Sequence, residues 1–291
     1  MEFTKLQATG NDFILIDAFT KGDPDSLFAL GGNKPRGDIL LPELARAMCD
    51  RHYGVGADGL LLLLKSKVAD FRMRMFNPDG SEAEVCGNGL RCVAKYIAER
   101  ISPAPAQELT IETIVGIRKV KSYSGNQFQV DMGIPRFRAE EIPLSSRVDI
   151  TPILDYPLNI DGWDLLLTFV SIGNPHGVCF LAESVADFPL PELGAKIERH
   201  PLFPQRLNFE VVNILSPRKI RARVWERGVG ETLACGSGAC AIAVAAQLHH
   251  YVDNEVDVIL PGGTLSVAWD GKGEVYLKGS AELVFTGKWM R

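Results

Sequence analysis

Two cysteines stand in matching glycine collars. Cys86 lies in AEVCGNGLRC, from Ala83 to Cys92, and Cys235 in ETLACGSGAC, from Glu231 to Cys240. In each, a Gly-x-Gly follows the cysteine and an apolar, helix-period run follows the glycines. A helix that starts this way leaves backbone N–H groups unshielded by side chains, and the helix dipole adds to their pull on an anion. The same groups favour the thiolate of a cysteine placed there. One such cysteine could serve as a nucleophile. Two suggest a thiolate that takes a proton from one face of a carbon while a thiol returns one to the other face, inverting the centre. The anion would then be the substrate's carboxylate, whose enediolate-like charge the collars steady. Against this stands the ordinary fate of a free cysteine, a small inert core residue. That reading fits Cys49, Cys92, Cys179 and Cys240, of which Cys92 and Cys240 fall inside helices.

Polar residues near strand ends are the other candidates. RVWERGVGE puts Glu226 and Arg227 just ahead of the second collar. Arg227 could fork onto a carboxylate and Glu226 could meet an ammonium group, or the two could be a solvated ion pair. GNPHG, from Gly173 to Gly177, places an exposed Asn174 and His176 beside a strand end, which suits substrate contacts and suits a turn equally. Asn11, Asn77 and Asn208 could join Arg227 in a polar clamp. GVGADG, from Gly54 to Gly59, matches a dinucleotide fingerprint in letters only. A helical pattern precedes it and a strand follows, the reverse of what nucleotide binding needs. Its glycines read as turn formers, and Asp58 as the side chain that fixes the turn.

The elements that must carry these residues mix strands and helices. FTKLQATGNDFILIDAF reads as a strand, a glycine turn and a second strand. Residues 20 to 38 are rich in Gly, Pro, Asp and Lys and read as a surface excursion. Pro42 to His52 reads as a helix with proline in its first turn. Leu60 to Lys65 and FRMRMFN read as strands, and NGLRCVAKYIAER as a helix with Leu90, Val93, Ala94 and Ile97 on one face, ended near Ser102 to Ala106. From ELTIETIVG onward the chain is mostly short strands and turns, which opposes a doubly wound parallel sheet.

The second half repeats the plan. At an offset of 149 residues, Arg74 falls on Arg223, Phe76 on Trp225, Asn77 on Glu226, Glu82 on Glu231, Cys86 on Cys235, Gly87 on Gly236 and Gly89 on Gly238. ACAIAVAAQLHH is apolar nearly all round, so the second collar's helix should be buried on most sides. Two similar domains follow, with a hinge near Gly133 to Phe137, and equivalent residues of two facing copies would share one cleft.

Composition narrows the class. A chain of 291 residues can bury a sizeable core. A net charge of -5 and the lack of a basic stripe give no reason to expect nucleic acid. The longest aliphatic run, Leu60 to Leu64, is far too short to span a membrane, and the N-terminus lacks an apolar signal core. The six cysteines show no CxxC and no zinc spacing, so reduced thiols in a cytoplasmic protein are expected.

ATGNDFILID, FNPDGSEAEVCGNGLRC, GNPHGV and ERGVGETLACGSGACA together resemble the motifs of the diaminopimelate epimerase family, in the family's order and nearly end to end. The resemblance implies an α/β (α+β) fold of two homologous domains, each an antiparallel barrel-like β-roll around a central helix, with the active site in the cleft between them. The expected divisions are 1–134, 135–275 and a final strand in 276–291 that returns to the first domain. It implies a lysine and peptidoglycan precursor enzyme that interconverts LL- and meso-diaminopimelate without pyridoxal phosphate, other cofactor or metal, and that works as a homodimer. Carried over by motif, Cys86 and Cys235 are the acid/base pair. The backbones of Gly87, Asn88, Gly236 and Ser237 hold the reacting carboxylate. Asn11, Asn77, Asn174, Asn208 and Arg227 read the distal end, Glu226 meets the reacting ammonium group, and His176 orients it.

Three features depart from the family's pattern: Gln7 in place of a common histidine, Gly59 where some members carry glutamine, and a longer segment near Lys21 to Asp38. Two other readings remain. Another pyridoxal-independent racemase, such as one resembling proline racemase, would use similar cysteine chemistry, but a proline-type substrate has no second amino acid head for the Asn and Arg set. A non-catalytic carboxylate-binding protein would not need both cysteines, Glu226 and Arg227.

Overall fold

The computed structural model describes residues 1–21, 37–83, 86–102, 108–145 and 150–290. They form two compact units, one of Met1–Val130 with Gly279–Arg291 and one of Asp131–Lys278.

The first unit opens with a hairpin of β1 (Glu2–Ala8) and β2 (Asn11–Asp17). Thr9 and Gly10 between them both have positive φ, 56° and 82°, as a two-residue hairpin turn of matching twist requires. Helices α1 (Ala18–Lys21) and α2 (Gly37–Cys49) lead to β3 (Gly59–Leu64), which runs parallel to β2. β4 (Phe71–Phe76) returns antiparallel to β3. Helix α3 (Gly87–Arg100) then crosses to β5 (Glu108–Thr113), parallel to β4, and β6 (Gly116–Tyr123) and β7 (Gln127–Asp131) continue as an antiparallel meander. The tail of the chain holds two strands where the sequence reads as one, β16 (Tyr276–Ser280) and β17 (Glu282–Lys288), and β17 lies antiparallel to β1.

Helix α2 differs from the sequence reading at both ends. It begins five residues before Pro42 and stops at Cys49. Proline inside it forfeits one backbone hydrogen bond, but Leu41, Ala45, Met48 and Cys49 form a buried stripe at helical spacing that outweighs that loss. The end is set by Asp50, whose Oδ1 accepts from the backbone N–H groups of His52 and Tyr53 at 2.8 and 2.7 Å and turns the chain. The surface excursion expected at 20 to 38 lies largely outside the described residues.

In the second unit, β8 (Tyr156–Ile160) and β9 (Trp163–Ser171) form a hairpin, and β10 (Pro175–Phe180) is antiparallel to β9. Helix α4 (Leu190–Glu198) crosses to β11 (Asn208–Ser216), parallel to β10. β12 (Lys219–Glu226) and β13 (Gly230–Thr232) follow antiparallel. Helix α5 (Gly236–Leu248) crosses to β14 (Glu255–Leu260), parallel to β12, and β15 (Gly263–Ala268) pairs antiparallel with β14 and β16.

Each unit is thus an antiparallel roll with parallel pairs only where a helix makes the crossover, since a parallel connection needs a dozen or more residues and a helix supplies them. The central helices are α3, buried from Gly87 through Ile97, and α5, buried at Gly236 and from Gly238 through Ala246. A helix inside a closed roll meets sheet on most sides, which is why α5 can be apolar almost all round.

Candidate active site

Cys86 and Cys235 are the N-cap residues of α3 and α5. Both have extended backbone, and both sulfurs accept from the N–H three residues on: Gly89 N to Cys86 Sγ at 3.2 Å, Gly238 N to Cys235 Sγ at 3.3 Å. That is the geometry of a serine or threonine cap with sulfur in place of oxygen. Glycine suits both positions, because a Cβ on Gly89 would lie 3.1 Å from Leu61 Cδ2, and one on Gly238 3.1 Å from Glu210 Oε1 and 3.2 Å from Cys235 Cβ.

A network of polar side chains stands behind the Cys86 collar. Asn88 Nδ2 donates to Asn11 Oδ1 at 3.0 Å, and Asn11 Nδ2 donates to Asp58 Oδ2 at 2.7 Å. Asp58 also accepts from Asp12 N at 3.1 Å and from Arg51 at 2.7 Å. Its carboxylate therefore ties the β2 start to the loop before β3 and, through Arg51, also braces its own turn as the sequence reading expects. Asp12 bridges Lys5 at 2.5 Å and Arg51 at 2.8 Å. Burial acts to raise the Asp12 carboxyl, but the hydrogen bonds from Arg51 and Lys5 outweigh it and hold the group below its ordinary range. Arg91, wholly buried on α3, donates to Asn88 Oδ1, to Thr9 Oγ1 at 3.3 Å and to Ser280 O at 3.1 Å. Asn77 sits in the turn after β4, where its Nδ2 donates to Ser81 Oγ at 2.9 Å.

A second network surrounds Cys235. Ser237 Oγ lies 3.5 Å from the sulfur, and Asn174 Nδ2 donates to Ser237 Oγ at 3.3 Å. Asn174 Oδ1 is 3.0 Å from His176 Nε2, and His176 Nδ1 is 2.7 Å from Glu210 Oε1. His176 is fully buried on β10, not exposed in a turn as the sequence suggests, because the turn ends at Asn174 and β10 starts at Pro175. Half-buried Glu226 accepts from Thr232 Oγ1 at 2.5 Å. Burial pushes its carboxyl up, against the opposing hydrogen bonds of Thr232 and Cys235.

Asn208, buried at the start of β11, donates from Nδ2 to Pro175 O at 3.0 Å and accepts Arg227 N at 2.8 Å on Oδ1. Exposed Arg227 also donates from Nη1 to Gln205 O at 3.1 Å, so Glu226 and Arg227 each have partners of their own rather than a surface pairing with each other. Glu198 secures the same loop, accepting Gly228 N at 3.0 Å and Trp225 Nε1 at 2.9 Å.

The Cys235 thiol differs from the simple expectation that a helix start favours thiolate. Burial, then the Glu226 carboxylate, push the Cys235 thiol well up, and the hydrogen bonds of Ser237 and the Gly238 N–H offset this only in part. Burial likewise raises Cys49 to about 12 and Cys179 to about 11, and raises Cys92 further, as packing residues require. Among the described residues no group of three or more His, Cys, Asp or Glu could hold a metal ion, and no helix is long and apolar enough to cross a membrane.

Comparison with known proteins bears on what these two networks serve. The diaminopimelate epimerase family matches residues 3–138 and 168–284. The diaminopimelate epimerase of Carboxydothermus hydrogenoformans is 45% identical over 289 residues, covering 99% of each chain, and that of Desulforudis audaxviator is 47% identical over 295 residues, covering both chains in full. The chain belongs to the diaminopimelate epimerase family.

Among solved structures, a phenazine biosynthesis protein of the PhzF family from Bacillus anthracis shares the fold with a TM-score of 0.69 at 19% identity, covering 100% of this chain and 99% of its own. A hydroxyproline epimerase from Agrobacterium vitis does so with a TM-score of 0.67 at 15% identity, covering 99% and 91%. Family membership gives the collars a shared context, yet three buried groups behind them were missed from sequence: Glu210, Arg91 and Glu198. Glu210 and Arg91 were each signalled by a lone charge inside an otherwise apolar stretch, LNFEVV and GLRCVA, where a full charge is rarely left without a partner, whereas Glu198, in AKIERH, carries no such signal. Of the departures from the family's pattern, Gln7 pairs with Glu282 at 3.1 Å and accepts from Gly10 N at 3.0 Å. A Cβ on Gly59 would lie 3.1 Å from both Met75 Cε and Phe76 O, so this chain packs that position for glycine.

Proposed function

We propose that this protein is an amino acid epimerase that interconverts LL- and meso-diaminopimelate with Cys86 and Cys235 as its two acid/base groups. The observation that carries the reading is the pair of equivalent N-cap cysteines, each sulfur held by the third N–H of a glycine-collared central helix. Membership of the family supplies the substrate.

In one turnover, the thiolate of one cysteine accepts the α-proton and becomes a thiol. The thiol of the other donates its proton to the opposite face of the same carbon and becomes a thiolate. The centre is inverted with no net change in atoms or charge, and the two cysteines have exchanged roles. The backbone N–H groups at Gly87, Asn88, Gly236 and Ser237 bind the reacting carboxylate and take up the charge that builds on it. Glu226, half-buried beside Cys235, meets the ammonium group. A cation there would restore charge to a carboxyl that burial now pushes towards its neutral form.

Arg227 forks onto the distal carboxylate, and Asn11, Asn77, Asn174 and Asn208 each have a second Nδ2 hydrogen to offer it beside the one given to Asp58, Ser81, Ser237 and Pro175 O. His176 orients the set through Asn174. The reading carries with it a cytoplasmic homodimer that needs no metal or pyridoxal phosphate, which sedimentation and activity after exhaustive chelation would check.

The decisive experiment is incubation of the pure protein with LL-diaminopimelate in deuterated water, following both the meso product and deuterium at the α-carbon. Product without solvent deuterium removes the two-base reading. Faster turnover of proline or hydroxyproline than of diaminopimelate removes the substrate.

A further inference from the structure

We propose that Glu210 is a positioning residue for Cys235: it donates a hydrogen bond to His176 Nδ1, and so sets one direction of donation along His176, Asn174 and Ser237 that ends at the cysteine sulfur. This rests on the role of Cys235 given above.

The direction follows from what each atom can do. Asn174 presents Nδ2 to Ser237 Oγ at 3.3 Å, which leaves its Oδ1 facing His176 Nε2 at 3.0 Å. An amide oxygen only accepts, so Nε2 must carry hydrogen. Ser237 Oγ, having accepted from Asn174, has its own hydrogen to offer to Cys235 Sγ 3.5 Å away. At the other end, His176 Nδ1 and Glu210 Oε1 are 2.7 Å apart and share one proton. Either the glutamic acid donates to a neutral imidazole, or an imidazolium donates to a carboxylate.

Burial decides between the two. Glu210 and His176 are both fully buried, and Glu210 Oε2 has no hydrogen-bond partner among the described residues. A buried carboxylate oxygen without a protein donor costs far more than the carbonyl oxygen of a neutral acid in the same place. Desolvation accordingly pushes the Glu210 carboxyl up, with His176 opposing. The start of α5, against which Oε1 packs, favours the anion, but that pull belongs to the first turn of one helix and does not replace a lost hydration shell.

The consequence for Cys235 is a donor without a charge. A neutral relay steadies the thiolate through the serine hydroxyl as it forms, without placing an imidazolium behind it that would ionise the resting thiol. The charged and titratable groups facing the sulfur are then Glu226 and Glu210, with His176 beyond Asn174.

The test reads the proton directly. In protein labelled with 15N-histidine, and with the His176 signals assigned through His176→Asn, Nε2 should be protonated and Nδ1 bare at neutral pH. Protonation of both nitrogens, or of Nδ1 alone, overturns the proposal. A second measurement follows iodoacetamide alkylation of Cys235 against pH by peptide mass mapping. Glu210→Leu removes the donor and should move the midpoint up by about one unit and lower kcat by roughly ten- to a hundredfold with little change in KM. Glu210→Gln keeps an N–H for Nδ1 and should recover most of both losses. Equal losses in the two variants overturn the proposal. The spectrum and the alkylation profile need no substrate, so they stand or fall apart from the epimerase reading.

Discussion

Arg223 and Glu231 grip each other through two parallel hydrogen bonds, Nε to Oε1 at 2.7 Å and Nη2 to Oε2 at 3.0 Å, and Arg74 and Glu82 repeat that grip at the same two distances 149 residues earlier. Each pair staples the strand before a collar to the segment that runs into the cysteine, as the Trp225–Glu231 and Phe76–Glu82 backbone pairings also do. Arg223 further donates to Val185 O and Phe188 O, both at 2.8 Å. Lysine cannot reproduce this fork. Arg223→Lys should cost about 2 to 3 kcal/mol, read as a lower urea midpoint with unchanged slope, and an unchanged midpoint would show that the staple contributes nothing.

Cys86→Ala and Cys235→Ala should each lower epimerisation by several orders of magnitude while circular dichroism keeps the folded signal and the urea midpoint falls only slightly. Alanine caps a helix less well than a residue whose side chain accepts a hydrogen bond, so a loss of about 1 kcal/mol in stability is expected. Near-normal turnover in either variant contradicts the two-base reading.

The pH behaviour of Cys235 has a definite sign. Burial first, and the Glu226 carboxylate second, raise its thiol above the ordinary range, so without substrate alkylation should climb only at strongly alkaline pH. Glu226→Gln removes the negative neighbour and lifts no other burden, so the alkylation midpoint should fall. The same variant loses the partner for the substrate's ammonium group, so epimerisation should fall as thiolate becomes easier to form. A midpoint that stays or rises would mean that Glu226 places no charge on the sulfur.

Arg227→Lys keeps the charge and loses the fork. Losing a desolvated, charged hydrogen bond costs on the order of 2 to 5 kcal/mol, or roughly 30-fold to several thousandfold in kcat/KM for diaminopimelate. Asn208→Ala removes the brace on the Arg227 backbone without touching the guanidinium, and should produce a smaller loss of the same kind. Comparison of kcat/KM for LL-diaminopimelate, lysine, glutamate and proline checks the assignment, and equal turnover of glutamate would reassign Arg227.

The sequence alone determined the features that short stretches of chain dictate. A cysteine followed by Gly-x-Gly and an apolar run must cap a helix, Thr9-Gly10 between alternating runs must turn a hairpin, and the repeat at 149 residues follows from letters in fixed register. Only the tertiary structure decided which polar groups stand behind the sulfurs. His176 reads as exposed beside its turn, yet the parallel pairing of β10 with β11 sets it opposite Asn208 and within reach of Glu210, 34 residues away. Asp58 reads as a turn residue, and the pairing of β3 with β2 also turns its carboxylate onto Asn11. Helix caps and hairpins are fixed by neighbours within a few residues. A buried hydrogen bond is fixed by which strands lie side by side, and that outcome belongs to the packing of the whole unit.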